Sequence, residues 1–158
     1  MVTRKPTVSV GDRFATTNGV ATIINYQHRH AVTVEFEDGT EVLCRLDHLR
    51  EGHVNNPNHR DMFGVGYLGV GEFKHTITLK ITKPYEIWRG MLRRCYDKEH
   101  QAKVAKTYIG CEVHPDWHCF QTFAKDYVEM ATGKADWHLE KDIMIRGNRL
   151  YSKDTCTM

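Results

Sequence analysis

The sequence predicts an α+β fold: a small N-terminal antiparallel β-barrel, then a small α+β module with two helices and a C-terminal β-hairpin. Two observations carry this. From Val8 to Gly52 apolar and polar residues alternate between turn signals, the period of short half-buried strands. After Pro84 and again after Pro115 the apolar residues recur at helical spacing.

Each element follows in order. Val10-Gly11-Asp12-Arg13-Phe14 opens a first strand, Asn18-Gly19 is a tight-turn pair, and Val20 to Tyr26 forms a second strand. Ala31 to Phe36 turns Val32, Val34 and Phe36 inward, Asp38-Gly39 reverses the chain, and Glu41 to Leu46 returns. No helix is expected here. Residues 1–53 therefore form the barrel, whose core is small for independent stability. Residues 54–75, with Asn55-Asn56-Pro57-Asn58 and the glycines of Phe63 to Gly71, read as a linker, and residues 76–158 as the second module.

That module starts with a strand from Thr76 to Ile81. Pro84 suits a first helical turn, because its fixed φ is already helical and its missing N–H is not needed there. The helix runs to about Asp97, with Ile87, Trp88, Met91, Leu92, Cys95 and Tyr96 as its apolar stripe. Arg89 and Arg93 then lie one turn apart on the open side, and Arg94 flanks the stripe. Thr107 to Val113 reads as a strand. A second helix starts at Pro115-Asp116, buries Trp117, Phe120, Phe123, Ala124, Tyr127 and Val128, and stops at Gly133. Trp137 to Ile145 and Arg149 to Ser152, joined by Arg146-Gly147-Asn148, read as the hairpin.

Composition narrows the function. The formal net charge of +2 is too small to name a polyanionic partner by itself, so the distribution of charge matters. Residues 1–75 hold eight Lys and Arg against nine Asp and Glu, whereas residues 76–158 hold fourteen against eleven. Lys80, Lys83, Arg89, Arg93, Arg94, Lys98, Lys103 and Lys106 are opposed in their window only by Glu86, Asp97 and Glu99. With Arg146 and Arg149 of the hairpin they are the candidate phosphate-binding residues, since guanidinium groups hold phosphate in a fork. A solvated helix face is the plainer account of the same charges.

Five cysteines without a CxxC pair do not make a disulfide framework. No stretch approaches the roughly 18 apolar residues of a membrane span, so no membrane partner is expected. Met1 to Pro6 lack the apolar run of a secretion signal, which predicts a protein that stays in the cytoplasm with reduced thiols. Cys111, His114, His118 and Cys119 have spacings found among zinc ligands, yet a helix would point His118 and Cys119 in different directions. Gly64-x-Gly66-x-x-Gly69 has the letters of a dinucleotide fingerprint but neither the strand nor the helix that it needs. Gln27-His28-Arg29-His30 clusters at a hairpin tip with no evident role.

The ordered set Trp88, Met91, Arg94-Cys95-Tyr96, Thr107-Tyr108, Trp117, Phe120, Phe123, Leu139-Glu140-Lys141-Asp142, Gly147-Asn148, Tyr151-Ser152 and Thr155-Cys156 resembles the HNH-endonuclease-like proteins of bacteriophages. The N-terminal part resembles the Tudor or KOW barrels and Gly-Val-Gly-Tyr segment that precede this region in many of them. The resemblance implies a phage origin, a host-cell cytoplasmic location and a role on DNA.

An HNH site needs a metal-bound carboxylate or imidazole, a histidine that deprotonates water, and a second metal ligand. Where the resemblance puts Asp-His, this chain has Glu140-Lys141, followed by Asp142. A lysine with a pKa of about 10.4 is protonated at neutral pH and is a poor base. The family pattern also continues into a ligand-bearing helix past the Cys156 position, and the chain ends at Met158, so that helix is expected to be missing. Glu140, Lys141, Asp142 and His138 are the catalytic candidates, and Glu140 with Asp142 the Mg²⁺ candidates, because oxygen donors suit hard cations.

The reading that follows is a DNA-binding protein on a degenerate HNH-like scaffold, without catalysis and without a resident cofactor. A Mg²⁺-dependent nicking enzyme is one alternative. A protein that binds and modulates a host polymerase, nuclease or defence factor is the other. The sequence leaves the oligomeric state open.

Overall fold

The computed structural model describes residues 7–131, 139–140 and 146–156. The chain divides into two compact units, residues 1–59 and 60–158. The class is α+β.

Unit one is a four-stranded antiparallel sheet in the order β1 (Arg13–Thr16), β2 (Gly19–His28), β3 (Ala31–Phe36), β4 (Glu41–Cys44). Register puts Ala21 opposite Phe36 and Ile23 opposite Val34, so the inward residues of the two longest strands meet on one face. With Val32, Leu46, Leu49 and Val54 they form its core. Bulges follow Ile23 and Tyr26, bending the long β2. No pairing joins β4 to β1 among the described residues, so the expected barrel is here an open sheet.

A short helix, α1 (Leu46–Arg50), corrects the expectation of strands alone. Leu46 and Leu49 are three residues apart and both buried, a helical spacing where the strand period had ended. The turn after it reaches β1: Thr17 N–H donates to Gly52 O, and Gly52 sits at φ +74°, where a Cβ would lie 3.1 Å from Ala15 O.

In unit two the Thr76–Ile81 segment is a small hairpin, β5 (Thr76–Ile77) and β6 (Lys80–Ile81). Its turn residues Thr78 and Leu79 have φ of +49° and +63°, where glycine or asparagine is the usual occupant. Each left-handed non-glycine residue costs about 1–3 kcal/mol.

The main helix, α2 (Lys83–Tyr96), starts after Thr82 with Pro84 in its first turn. Trp88, Met91, Leu92 and Cys95 are its buried stripe, as expected, and Ile87 and Tyr96 are partly buried beside it. A short helix, α3 (Lys98–Lys103), has no counterpart among the expected elements. Asp97 caps it by accepting from His100 N–H, and Gln101 Nε2 returns to donate to the carbonyls of Arg94 and Cys95. That closes two carbonyls that the end of α2 leaves open.

The Thr107–Val113 strand is mostly a 3₁₀ turn, Lys106–Tyr108, leaving only β7 (Glu112–Val113) extended. The second long helix also begins as a 3₁₀ turn, Pro115–His118, before α4 (Phe120–Ala131). Val128 is half exposed rather than buried. β8 (Leu150–Tyr151) pairs in parallel with β7, so this arm of the expected hairpin has a partner distant in sequence. Of the other arm, Trp137 to Ile145, only residues 139–140 are described.

Much of the 54–75 stretch is packed rather than free. Its first residues belong to unit one, where Asn56 and Asn58 bond Asp38 and Thr40. Met62, Phe63, Val65, Leu68 and Phe73 cover the core of unit two. Tyr67 bonds both sides of Cys119 through His118 O and Phe120 N, and Gln121 pairs with both backbone groups of Phe73. A Cβ on Gly66 would lie 2.5 Å from Leu92 Cδ1 and 3.0 Å from the Trp88 ring. The glycines give close approach, not a phosphate cradle. Limited digestion by a broad-specificity protease should therefore cut first around His59 and Arg60 and spare Met62 to Phe73. First cuts inside Gly64 to Gly71 would show that the strap is loose.

Candidate nucleic-acid interface

With one stripe of α2 buried, its other residues define what the helix can touch. Arg89 and Arg93 are exposed one turn apart, and with Ile81, Glu86 and Gly90 they line a shallow cleft of about 280 Å³. On the other side of Gly90 a second cleft, also about 280 Å³, is lined by Lys83, Glu86, Ile87, Arg94, Tyr108, Leu139 and Glu140. Gly90 lines both. A Cβ there would meet only Arg94 Nη1, at 3.6 Å.

The cations are not equally available. Arg93 Nε lies 3.4 Å from Asp97 Oδ2, a carboxylate whose pKa is lowered by the His100 N–H that it accepts from and by Arg93 itself. Lys83 pairs with Glu86 at 3.4 Å and Lys103 with Glu99 at 4.0 Å. Such exposed pairs are worth about 0–1 kcal/mol and yield readily to phosphate. Lys80, Arg89, Lys98, Lys106 and Arg146 have no carboxylate partner among the described residues.

Two of the expected phosphate ligands are built into the fold. Arg94 is half buried, its guanidinium 5.5 Å from the Tyr108 ring centre and 5.9 Å from that of Tyr151, and its buried Nε has no hydrogen-bond partner among the described residues. Burial pushes the Tyr151 phenol up, so it stays protonated beside the arginine. Arg149 Nη1 donates to Ile109 O at 2.7 Å, pinning the loop before β7 to the start of β8. Both are structural first.

Of the catalytic candidates only Glu140 is described, exposed at the rim of the Arg94 cleft. His138, Lys141 and Asp142 lie outside the described residues. No group of three His, Cys, Asp or Glu side chains suited to a metal ion occurs among the described residues. Cys111 is in the core, Cys119 packs on Gly69, and His118 Nε2 donates to Val113 O at 3.0 Å, so these residues serve packing.

Unit one holds a cationic cluster to which the sequence alone assigns no role. Arg29, His30, Arg45, Leu46, Asp47 and Arg50 line a cleft of about 230 Å³. Arg29 Nε donates to His30 Nε2 at 2.8 Å, which keeps that imidazole nitrogen as an acceptor, and desolvation together with nearby arginines lowers the His30 pKa. Arg45 grips Asp47 in a two-pronged bond, at 3.0 and 2.7 Å, which holds that carboxyl well below the usual range. The Gln27-to-His30 tip is the sequence signal for it.

No helix is long and apolar enough to cross a membrane among the described residues. No family model, curated protein or solved structure matches the chain, so its cationic clefts have to carry the functional reading.

Proposed function

We propose that this protein binds the DNA backbone through the open face of α2, and that it does so without cutting. The observation that carries the reading is the pair Arg89 and Arg93, exposed one turn apart along a cleft that Gly90 also lines, with Lys80 and Lys83 at the entry to the helix. Helix-borne guanidinium groups at this spacing suit successive phosphates, which are read by charge and not by base. The scaffold is a degenerate relative of the phage HNH-like proteins, acting in the host cytoplasm. Its N-terminal sheet is read as a Tudor- or KOW-like module left open between β1 and β4, and no resident cofactor is required. Binding to unrelated duplexes, measured by fluorescence anisotropy across a salt series, tests this directly.

A second reading, a Mg²⁺-dependent nicking enzyme, is favoured by Glu140 at the rim of a cleft that also holds Lys83 and Arg94. With Glu86, which pairs with Lys83, the cleft sets two carboxylates beside two cations, a composition that suits a metal and a phosphate. Against it stands Lys141 at the base position, a side chain that stays protonated at neutral pH and does not readily activate water. Supercoiled plasmid with Mg²⁺ or Mn²⁺ is expected to stay intact. Nicking by the wild type that disappears in a folded Glu140→Ala, Asp142→Ala variant would establish the enzyme instead.

A further inference from the structure

The β5–β6 hairpin presents an apolar side chain where folding does not need one. Leu79 at its tip is 98% exposed, and Ile77 and Ile81 beside it are 59% and 54% exposed. Neither Thr78 nor Leu79 suits its own backbone conformation, since a two-residue turn with positive φ at both positions favours Asn-Gly. The turn therefore retains a large apolar residue at a position where glycine would be easier.

The hairpin is also held firmly at its base. Thr82 N–H donates to His75 O at 3.0 Å, and Thr82 Oγ1 donates to Lys74 O at 2.9 Å, tying both arms to the first turn of α2. His75 lies 5.5 Å from the Tyr85 ring, which packs on Trp88 and Phe120 of the core. The tip is thus aimed by the same helix that carries Arg89 and Arg93.

From Phe73 to Tyr85 every charged side chain is basic: Lys74, Lys80 and Lys83, with His75 beside them. Glu72 and Glu86 bound the run, and Glu86 pairs with Lys83, so Lys74 and Lys80 are the cations nearest the tip. An apolar tip on cationic flanks complements a polyanion with an apolar interior, and stacked bases between phosphate rails are such a target. A protein pocket would not require the surrounding cations.

We infer that Leu79 is a wedge that enters a base step of duplex DNA and kinks it while the flanking lysines hold the phosphates. The inference rests on the DNA-binding reading and goes beyond it, because phosphate contacts alone do not require a bend. Leucine and isoleucine side chains unstack base steps and bend the duplex by about 20–90°.

The test uses the full chain and a duplex of about 30 base pairs with a donor and an acceptor dye at its ends, read by energy transfer alongside anisotropy. The wild type is expected to shorten the end-to-end distance on binding. Leu79→Ala should abolish the shortening and weaken binding by about fivefold, while Leu79→Phe should keep both. A double variant, Thr78→Asn with Leu79→Gly, supplies favoured turn residues and should melt no lower than the wild type yet fail to bend DNA. Bending that survives in Leu79→Ala overturns the wedge. Wild-type binding without bending overturns the wedge and leaves the DNA-binding reading intact, whereas absence of DNA binding overturns both. Leu79-dependent binding to phosphatidylserine vesicles, with no bend in DNA, would overturn it and assign the tip to an anionic membrane surface.

Discussion

Replacing Trp88 by alanine is expected to destabilise unit two by about 3–5 kcal/mol, the range for deleting a fully buried aromatic side chain. Trp88 is wholly buried at the centre of that core. Its ring lies against Phe120 and Tyr85, Gly66 of the strap closes over it, and its Nε1 donates to Trp117 O at 2.7 Å. Alanine removes the ring contacts and also orphans the Trp117 carbonyl. Trp88→Phe keeps most of the shape and isolates the second loss, at about 1–3 kcal/mol. Against a typical domain stability of about 5–15 kcal/mol, the alanine variant leaves unit two close to unfolding. All tryptophans, Trp88, Trp117 and Trp137, belong to unit two, so urea unfolding followed by tryptophan fluorescence reports on that unit alone. A loss under about 1 kcal/mol would mean that the core is not organised around this residue.

The sheet of unit one is legible in the sequence because its signals are local. Asn18-Gly19 and Asp38-Gly39 mark the turns, and alternate residues between them face the core, as Val32, Val34 and Phe36 do. The stripes of α2 and α4 are legible for the same reason, since Trp88, Met91, Leu92 and Cys95 recur at helical spacing. What escapes a sequence reading is held by partners distant along the chain. No local pattern announces the parallel pairing of Glu112 and Val113 with Leu150 and Tyr151. Helix α3 buries none of its own residues and depends on the Asp97 cap and the Gln101 return. The strap from Met62 to Phe73 reads as a linker because its glycines serve close contact with Trp88, Leu92 and Gln121, which composition cannot tell from flexibility.

The candidate site shows the same division. The basic window from Lys80 to Lys106 is plain as charge, but which cations are free is a matter of tertiary contact. Arg94 is engaged by Tyr108 and Tyr151 and Arg149 by the Ile109 carbonyl, and neither pairing has a sequence signature. Gly90 looks like a flaw in a helix, since glycine there costs about 1 kcal/mol relative to alanine. It lies between the two clefts, and a Cβ there would make one ordinary contact, with Arg94 Nη1 at 3.6 Å, so packing does not explain it.

Removing Arg89 and Arg93 together is expected to weaken binding to all duplexes about equally and to flatten the log–log salt dependence by roughly two units, about 0.9 for each phosphate no longer neutralised. Both side chains are exposed and neither packs in the core, so the double alanine variant should melt with the wild type. The single variants should differ. Arg89 has no carboxylate partner among the described residues, whereas Arg93 must leave Asp97 before it can serve a phosphate, so Arg89→Ala should weaken binding more than Arg93→Ala. Adding Asp97→Asn to the wild type should then strengthen binding, because it removes the charge that holds Arg93 while asparagine still caps α3. Lys125→Ala, which removes an exposed charge from α4, is the control and should leave the slope unchanged. If the double variant binds with an unaltered slope, α2 is not the surface that meets the phosphates. The cluster of Arg29, Arg45 and Arg50 in unit one would then be the next surface to test, by the same salt series on an Arg29→Ala, Arg45→Ala variant.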